Sequence, residues 1–112
     1  MARRRVVITG LGIVSPVGNT VEEAWQNILA GRSGIAHVTK FDASTFPAQI
    51  AGEVKNFDIT DYISAKDARR MDTFIHFGMA AGIQAVRDAG LDKENTVDLE
   101  RVGVAIGSGI GG

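Results

Sequence analysis

From Met71 to Val86, apolar or small residues recur at i, i+3, i+4, i+7 and i+8: Met71, Phe74, Ile75, Gly78, Met79, Gly82, Ile83 and Val86. That spacing predicts a helix with one buried stripe. Gly78, Ala80, Ala81 and Gly82 include residues that weaken a helix. Their lack of bulk lets a second backbone approach, so the helix is expected to be internal. Ser64 is placed to cap its start, with Asp67 three residues on, and Ala89-Gly90 to end it. A break is expected near Asp72, because the basic, polar portion before it contrasts with the stripe after it.

An internal helix needs partners, and the rest of the chain supplies candidates. Val6-Val7-Ile8-Thr9 and Val102 to Ile106 are apolar runs that end at or near glycine, and read as buried strands. Ala48 to Val54 carries a partial strand alternation. Thr20 and Glu23 form a capping box ahead of Val21, Trp25, Ile28 and Leu29, which share a helical face closed by Gly31. Strand, helix, strand, helix, strand predicts an α/β fold with helices covering both faces of a sheet. No repeat or linker divides residues 1–112. The chain stops in a glycine run directly after a strand, which is expected of a segment from a longer protein.

Composition narrows the classes. The 112 residues include 14 glycines and no cysteine, which excludes a disulfide scaffold, a thiolate nucleophile or a cysteine metal site within them. With 12 basic and 13 acidic residues the formal charge is −1, so no global field draws nucleic acid or an anionic membrane. The length allows a single core. Arg3-Arg4-Arg5 before Val6 superficially resembles the start of a signal peptide. Gly10 and Gly12, however, interrupt the apolar run well short of the roughly 20 residues that span a bilayer. A soluble, cytoplasmic chain is expected.

Candidate chemistry lies in four places. Gly10-x-Gly12-x-x-Ser15 follows a strand, as a dinucleotide fingerprint does, yet the helix waits until Val21 and no acidic residue stands ready for a ribose. A structural turn is the better reading. His37 and His76 are the only histidines, and His76 beside the apolar stripe reads as hydrogen-bonded structure. Lys66, Arg69 and Arg70 share one helical face at i, i+3 and i+4, where cations at a helix start oppose the macrodipole. They read either as a solvated charged face or as a patch that recognises anions. Gly107-Ser108-Gly109-Ile110-Gly111-Gly112 presents backbone at close range with one apolar side chain, which suits a tight turn or the wall of an apolar channel.

Six spaced motifs together carry a resemblance: Arg4 to Gly12, Ser15-Pro16-Val17-Gly18-Asn19, Gly31-x-Ser33-Gly34-Ile35, Phe41-Asp42, Lys66-x-x-Arg69-Arg70-Met71-Asp72, and Gly107 to Gly112. In this order and register the chain resembles the N-terminal part of the β-ketoacyl-acyl carrier protein synthases, which elongate fatty acids in bacteria. The resemblance covers essentially all 112 residues. It implies the N-terminal part of a thiolase-like αβαβα fold, an incomplete half of it over residues 1–112, and a homodimer. It also implies decarboxylative condensation of an acyl thioester with malonyl-acyl carrier protein, with no cofactor or metal. By position, Lys66, Arg69 and Arg70 correspond to the patch that receives the acidic helix of acyl carrier protein, and Ile110 to a residue lining the acyl pocket. The family's catalytic Cys and two His fall beyond residue 112, so no catalytic residue is expected here, and His37 and His76 do not match them. A noncatalytic relative, such as a chain-length partner subunit of polyketide synthesis, is the alternative.

Overall fold

The computed structural model describes residues 2–94 and 97–112. Helix α1 spans Val21–Leu29. Thr20 Oγ1 accepts from Glu23 N at 3.2 Å, and the Glu23 carboxylate accepts from Asn19 N at 3.2 Å. The expected capping box therefore forms, shifted by one residue on its return arm. Glu22 and Glu23 also favour the positive end of the helix.

Strands β1 (Ile35–His37) and β2 (Ile50–Gly52) pair antiparallel, with Ala36 opposite Ala51. β2 lies inside the expected 48–54 run, whereas β1 falls where no strand is expected. Beyond the ladder, Thr39 N and Oγ1 donate to the Glu53 carboxylate at 2.7 and 2.9 Å. The Thr39 N–H, first among several causes, holds Glu53 below its ordinary value of 4.5. The clip's contribution is full above that value and fades as pH falls through the lower folded one.

The long helical stripe divides as expected. Helix α2 (Ala65–Ala68) starts under the Ser64 cap and helix α3 (Thr73–Asp88) under Asp72. Between them the backbone tightens into successive 3-10 turns. Arg70 N donates to Asp67 O at 3.0 Å and Met71 N to Ala68 O at 3.2 Å. Asp72 then turns extended (φ −77°, ψ 162°) and its carboxylate accepts from Thr73 N. Both α1 and α3 end on a left-handed glycine, Gly31 (φ 69°) and Gly90 (φ 73°). Bonds from Arg32 N to Asn27 O and from Leu91 N to Val86 O complete the two Schellman closures.

Two expectations need correction. Val6–Thr9 and Val102–Ile106 form no strand among the described residues, and Val6 and Val104 stand 92% and 85% exposed. A β-branched run favours extended backbone, but a strand also needs a neighbour to accept its N–H groups. The second correction concerns the close backbone approach, which falls on another face of α3. A Cβ on Gly78 or Gly82 would meet nothing within 4 Å. At Gly10 it would lie 2.6 Å from Ala89 N, and at Gly12 2.9 Å from Ala85 N while overlapping the Ala81 carbonyl. The loop glycines thus lie against the Ala81–Ala85–Ala89 stripe.

Two side chains lock that contact. Leu11 N donates to Asp88 Oδ2 at 2.9 Å and Ile13 N to Gln84 Oε1 at 3.1 Å. The donors stand two residues apart in the loop, and the acceptors four apart on the helix, a rise of about 6 Å. The two spacings match closely enough for each donor to meet a helical acceptor. Gln84 Nε2 also donates to Asn19 O at 2.7 Å and to the Tyr62 hydroxyl at 2.9 Å.

The expected single core does not form within these residues. The buried hydrophobic residues are Ala24, Ala43, Ala68 and Ala80, all small. The accessible surface is 9291 Å², where a compact protein of this mass exposes about 6,000 Å². The radius of gyration is 17.4 Å. A compact domain of this length would have a radius of about 13 Å. Trp25 and Ile28 on α1, and Phe74 and Met79 on α3, face outward with the runs at 6–9 and 102–106. The apolar stripes thus exist as the sequence predicts, and among the described residues nothing covers them.

Candidate functional site

The basic cluster occupies the corner between α2 and α3. Lys66 lies in α2, Arg69 is its C-terminal cap and Arg70 follows, all exposed. Sequence spacing put the cations at a helix start. Because α2 ends at Ala68, the arginines instead fall in the turn between α2 and the Asp72 cap of α3. Arg69 Nε donates to Ala65 O at 3.3 Å, which fixes the stem of an exposed side chain. Among the described residues, none of the three cations makes an ion pair within 4.0 Å.

Aromatic packing and hydrogen bonds hold this corner on α3. Phe57 stacks on Tyr62 with ring centroids 6.3 Å apart. It also meets Phe77 of α3 edge-on at 5.3 Å, an arrangement that aromatic quadrupoles favour. Tyr62 lies just after the 3-10 turn Ile59–Asp61 and accepts from Gln84. His76 Nε2 lies 2.8 Å from Ala68 O. A carbonyl only accepts, so the ring donates and carries its proton on Nε2. His76 is hydrogen-bonded structure, as its place beside the stripe predicts, and His37 sits exposed on β1. No group of three His, Cys, Asp or Glu able to hold a metal occurs among the described residues.

The C-terminal run lies across α3 with an apolar groove on each side. One, of about 460 Å³, is walled by Val14, Phe74, Ile75, Ile106 and Ser108. The other, of about 500 Å³, is walled by Met79, Ile83, Val86, Val104 and Ile106. Ile110 projects to solvent outside both, at 101% exposure, while Gly111 (φ 83°) lies against the Phe74 ring. In the Gly10–Ser15 loop the Leu11 and Ile13 N–H groups are taken by α3. Sequence reasoning missed Gln84, Asp88 and Tyr62. Its only available signal was a pair of polar residues four apart beside an alanine stripe.

These motifs and their arrangement define a class. The β-ketoacyl synthase N-terminal domain matches residues 3–112, and the chain belongs to that family. Over its whole length it is 59% identical to 3-oxoacyl-[acyl-carrier-protein] synthase 2 of Vibrio harveyi and 57% identical to that of Vibrio cholerae. The same enzyme of Coxiella burnetii is 54% identical. The chain spans 27% of the length of each of these relatives. A solved structure, the ishigamide ketosynthase/chain length factor, superposes with a TM-score of 0.68 at 39% identity. That superposition covers 80% of this chain and 22% of the other. The thiolase-like α/β class expected from the sequence stands. No helix among the described residues is long and apolar enough to cross a membrane.

Proposed function

We propose that this chain supplies the N-terminal part of a homodimeric, cytoplasmic condensing enzyme that elongates acyl chains on acyl carrier protein. Lys66, Arg69 and Arg70 receive the acidic surface of the carrier. The observation that carries this reading is three cations on one exposed, braced corner, without an ion pair among the described residues, in a chain 59% identical to a 3-oxoacyl-[acyl-carrier-protein] synthase 2. Arginine pairs carboxylates in a fixed fork, and exposed charge complementarity speeds encounter and sets register.

The chemistry belongs to residues outside this chain, which has no cysteine. In the complete enzyme a Cys thiolate takes the acyl group from the carrier thioester and releases the carrier thiol. Malonyl-carrier then loses CO₂, and the enolate carbon attacks the acyl-enzyme carbonyl. Collapse of the tetrahedral adduct expels the Cys thiolate and leaves a β-ketoacyl-carrier two carbons longer. Two His and backbone N–H groups stabilise the developing negative charge. The rest of the enzyme also covers the outward stripes of α1 and α3 and pairs the runs at 6–9 and 102–106.

A condensation assay on the complete enzyme tests this. With acyl-carrier and malonyl-carrier, it is expected to release one CO₂ for each β-ketoacyl product formed. Absence of both products would favour a noncatalytic chain-length partner, the reading to which the ishigamide structure lends support.

Ile110 is assigned to the acyl pocket, closed by surfaces from the rest of the enzyme. Ile110→Phe is expected to lower kcat/KM for long acyl chains about tenfold more than for short ones. An unchanged chain-length profile would remove Ile110 from that pocket.

A further inference from the structure

We infer that His76 is a positioning residue for carrier docking, an inference that rests on the proposed role of Lys66, Arg69 and Arg70. The basic corner is mounted on a four-residue helix, too short to hold its own geometry. Its last residue, Ala68, is buried, and its carbonyl accepts twice, from Met71 N at 3.2 Å and from His76 Nε2 at 2.8 Å. The first bond is local to the turn. The second comes from the first turns of α3, and among the described residues it is the one side-chain hydrogen bond from α3 to α2. Arg69 and Arg70 leave the chain immediately after that carbonyl, so the imidazole sets the direction in which both guanidinium groups project. His76 touches neither the cations nor any reacting atom and acts through the backbone between them.

The test uses the complete enzyme with His76→Ala, His76→Gln and the double variant Arg69→Glu, Arg70→Glu. KM for acyl-carrier substrate and kcat/KM for a small carrier-free thioester are measured on each. His76→Ala is expected to raise the carrier KM about three- to tenfold, the worth of one such hydrogen bond. Its turnover of the small thioester should stay at the parent level. His76→Gln, whose amide N–H can reach the same carbonyl, is expected to recover most of the loss. Equal defects in His76→Ala and His76→Gln, or a matching loss on the small thioester, would overturn the inference. If the double variant raises the carrier KM while His76→Ala does not, positioning by His76 falls and the docking site stands. If the double variant leaves the carrier KM unchanged, the docking site itself falls.

Discussion

Reversing both arginines, Arg69→Glu with Arg70→Glu, is expected to raise the complete enzyme's KM for acyl-carrier substrate by about 10–100-fold. Two positive charges become two negative ones, so attraction to an acidic partner turns into repulsion. A 10–100-fold change corresponds to about 1.4–2.8 kcal/mol, well within what like-charge juxtaposition costs at an interface. The change should fall on KM and not on kcat, because the role proposed for the corner is docking and not chemistry. A small thioester without the carrier should turn over at the parent rate. Raising the salt concentration is expected to weaken the parent enzyme's advantage, because the cations are exposed and screened. Lys66→Glu alone should do less, since an ammonium pairs a carboxylate through one point and a guanidinium through two.

The second large effect is on folding. Gly12→Val is expected to destabilise the complete enzyme by about 3 kcal/mol or more, the upper end for overpacking, or to prevent soluble expression. The obstacle is backbone, which a rotamer change cannot relieve: the added Cβ overlaps the Ala81 carbonyl and lies 2.9 Å from Ala85 N. Any retreat of the loop also breaks the Leu11–Asp88 and Ile13–Gln84 bonds. Gln26→Ala serves as the contrast, because Gln26 is exposed on the polar side of α1 with no side-chain hydrogen bond among the described residues, and alanine is the better helix former. Denaturant midpoints of the two variants should therefore separate clearly. Comparable midpoints would show that the loop does not bear on α3 as described.

Much of the helical part was legible because its signals are local. Thr20, Glu23 and Gly31 mark the ends of α1, and the 71–86 periodicity together with Asp72 marks α3 and the break before it. The sheet was less legible because pairing is not local. β2 lies inside the partly alternating 48–54 run, but its partner β1 contributes three residues, too few for an alternation to show, while the run at 6–9 reads as a strand and has no described neighbour. Gln84 and Asp88 could not be singled out, since their acceptor role exists only once Leu11 and Ile13 lie beside α3. The basic cluster is visible in the sequence, but its electrostatic setting is not. A helix that stops at Ala68 puts Arg69 and Arg70 in the turn between two helices and not within the first turn of one.

Carrier recognition at this corner is the central claim, and a charge-swap measurement addresses it most directly. Acidic residues on the docking helix of the carrier are replaced by lysine, and KM is measured for both carriers with the parent enzyme and with Arg69→Glu, Arg70→Glu. Each mismatched pairing is expected to be poor. The doubly swapped pair should recover most of the lost affinity, because opposite charges again face each other. Failure of that pair to recover, with both proteins folded and active on the small thioester, would contradict docking through these cations.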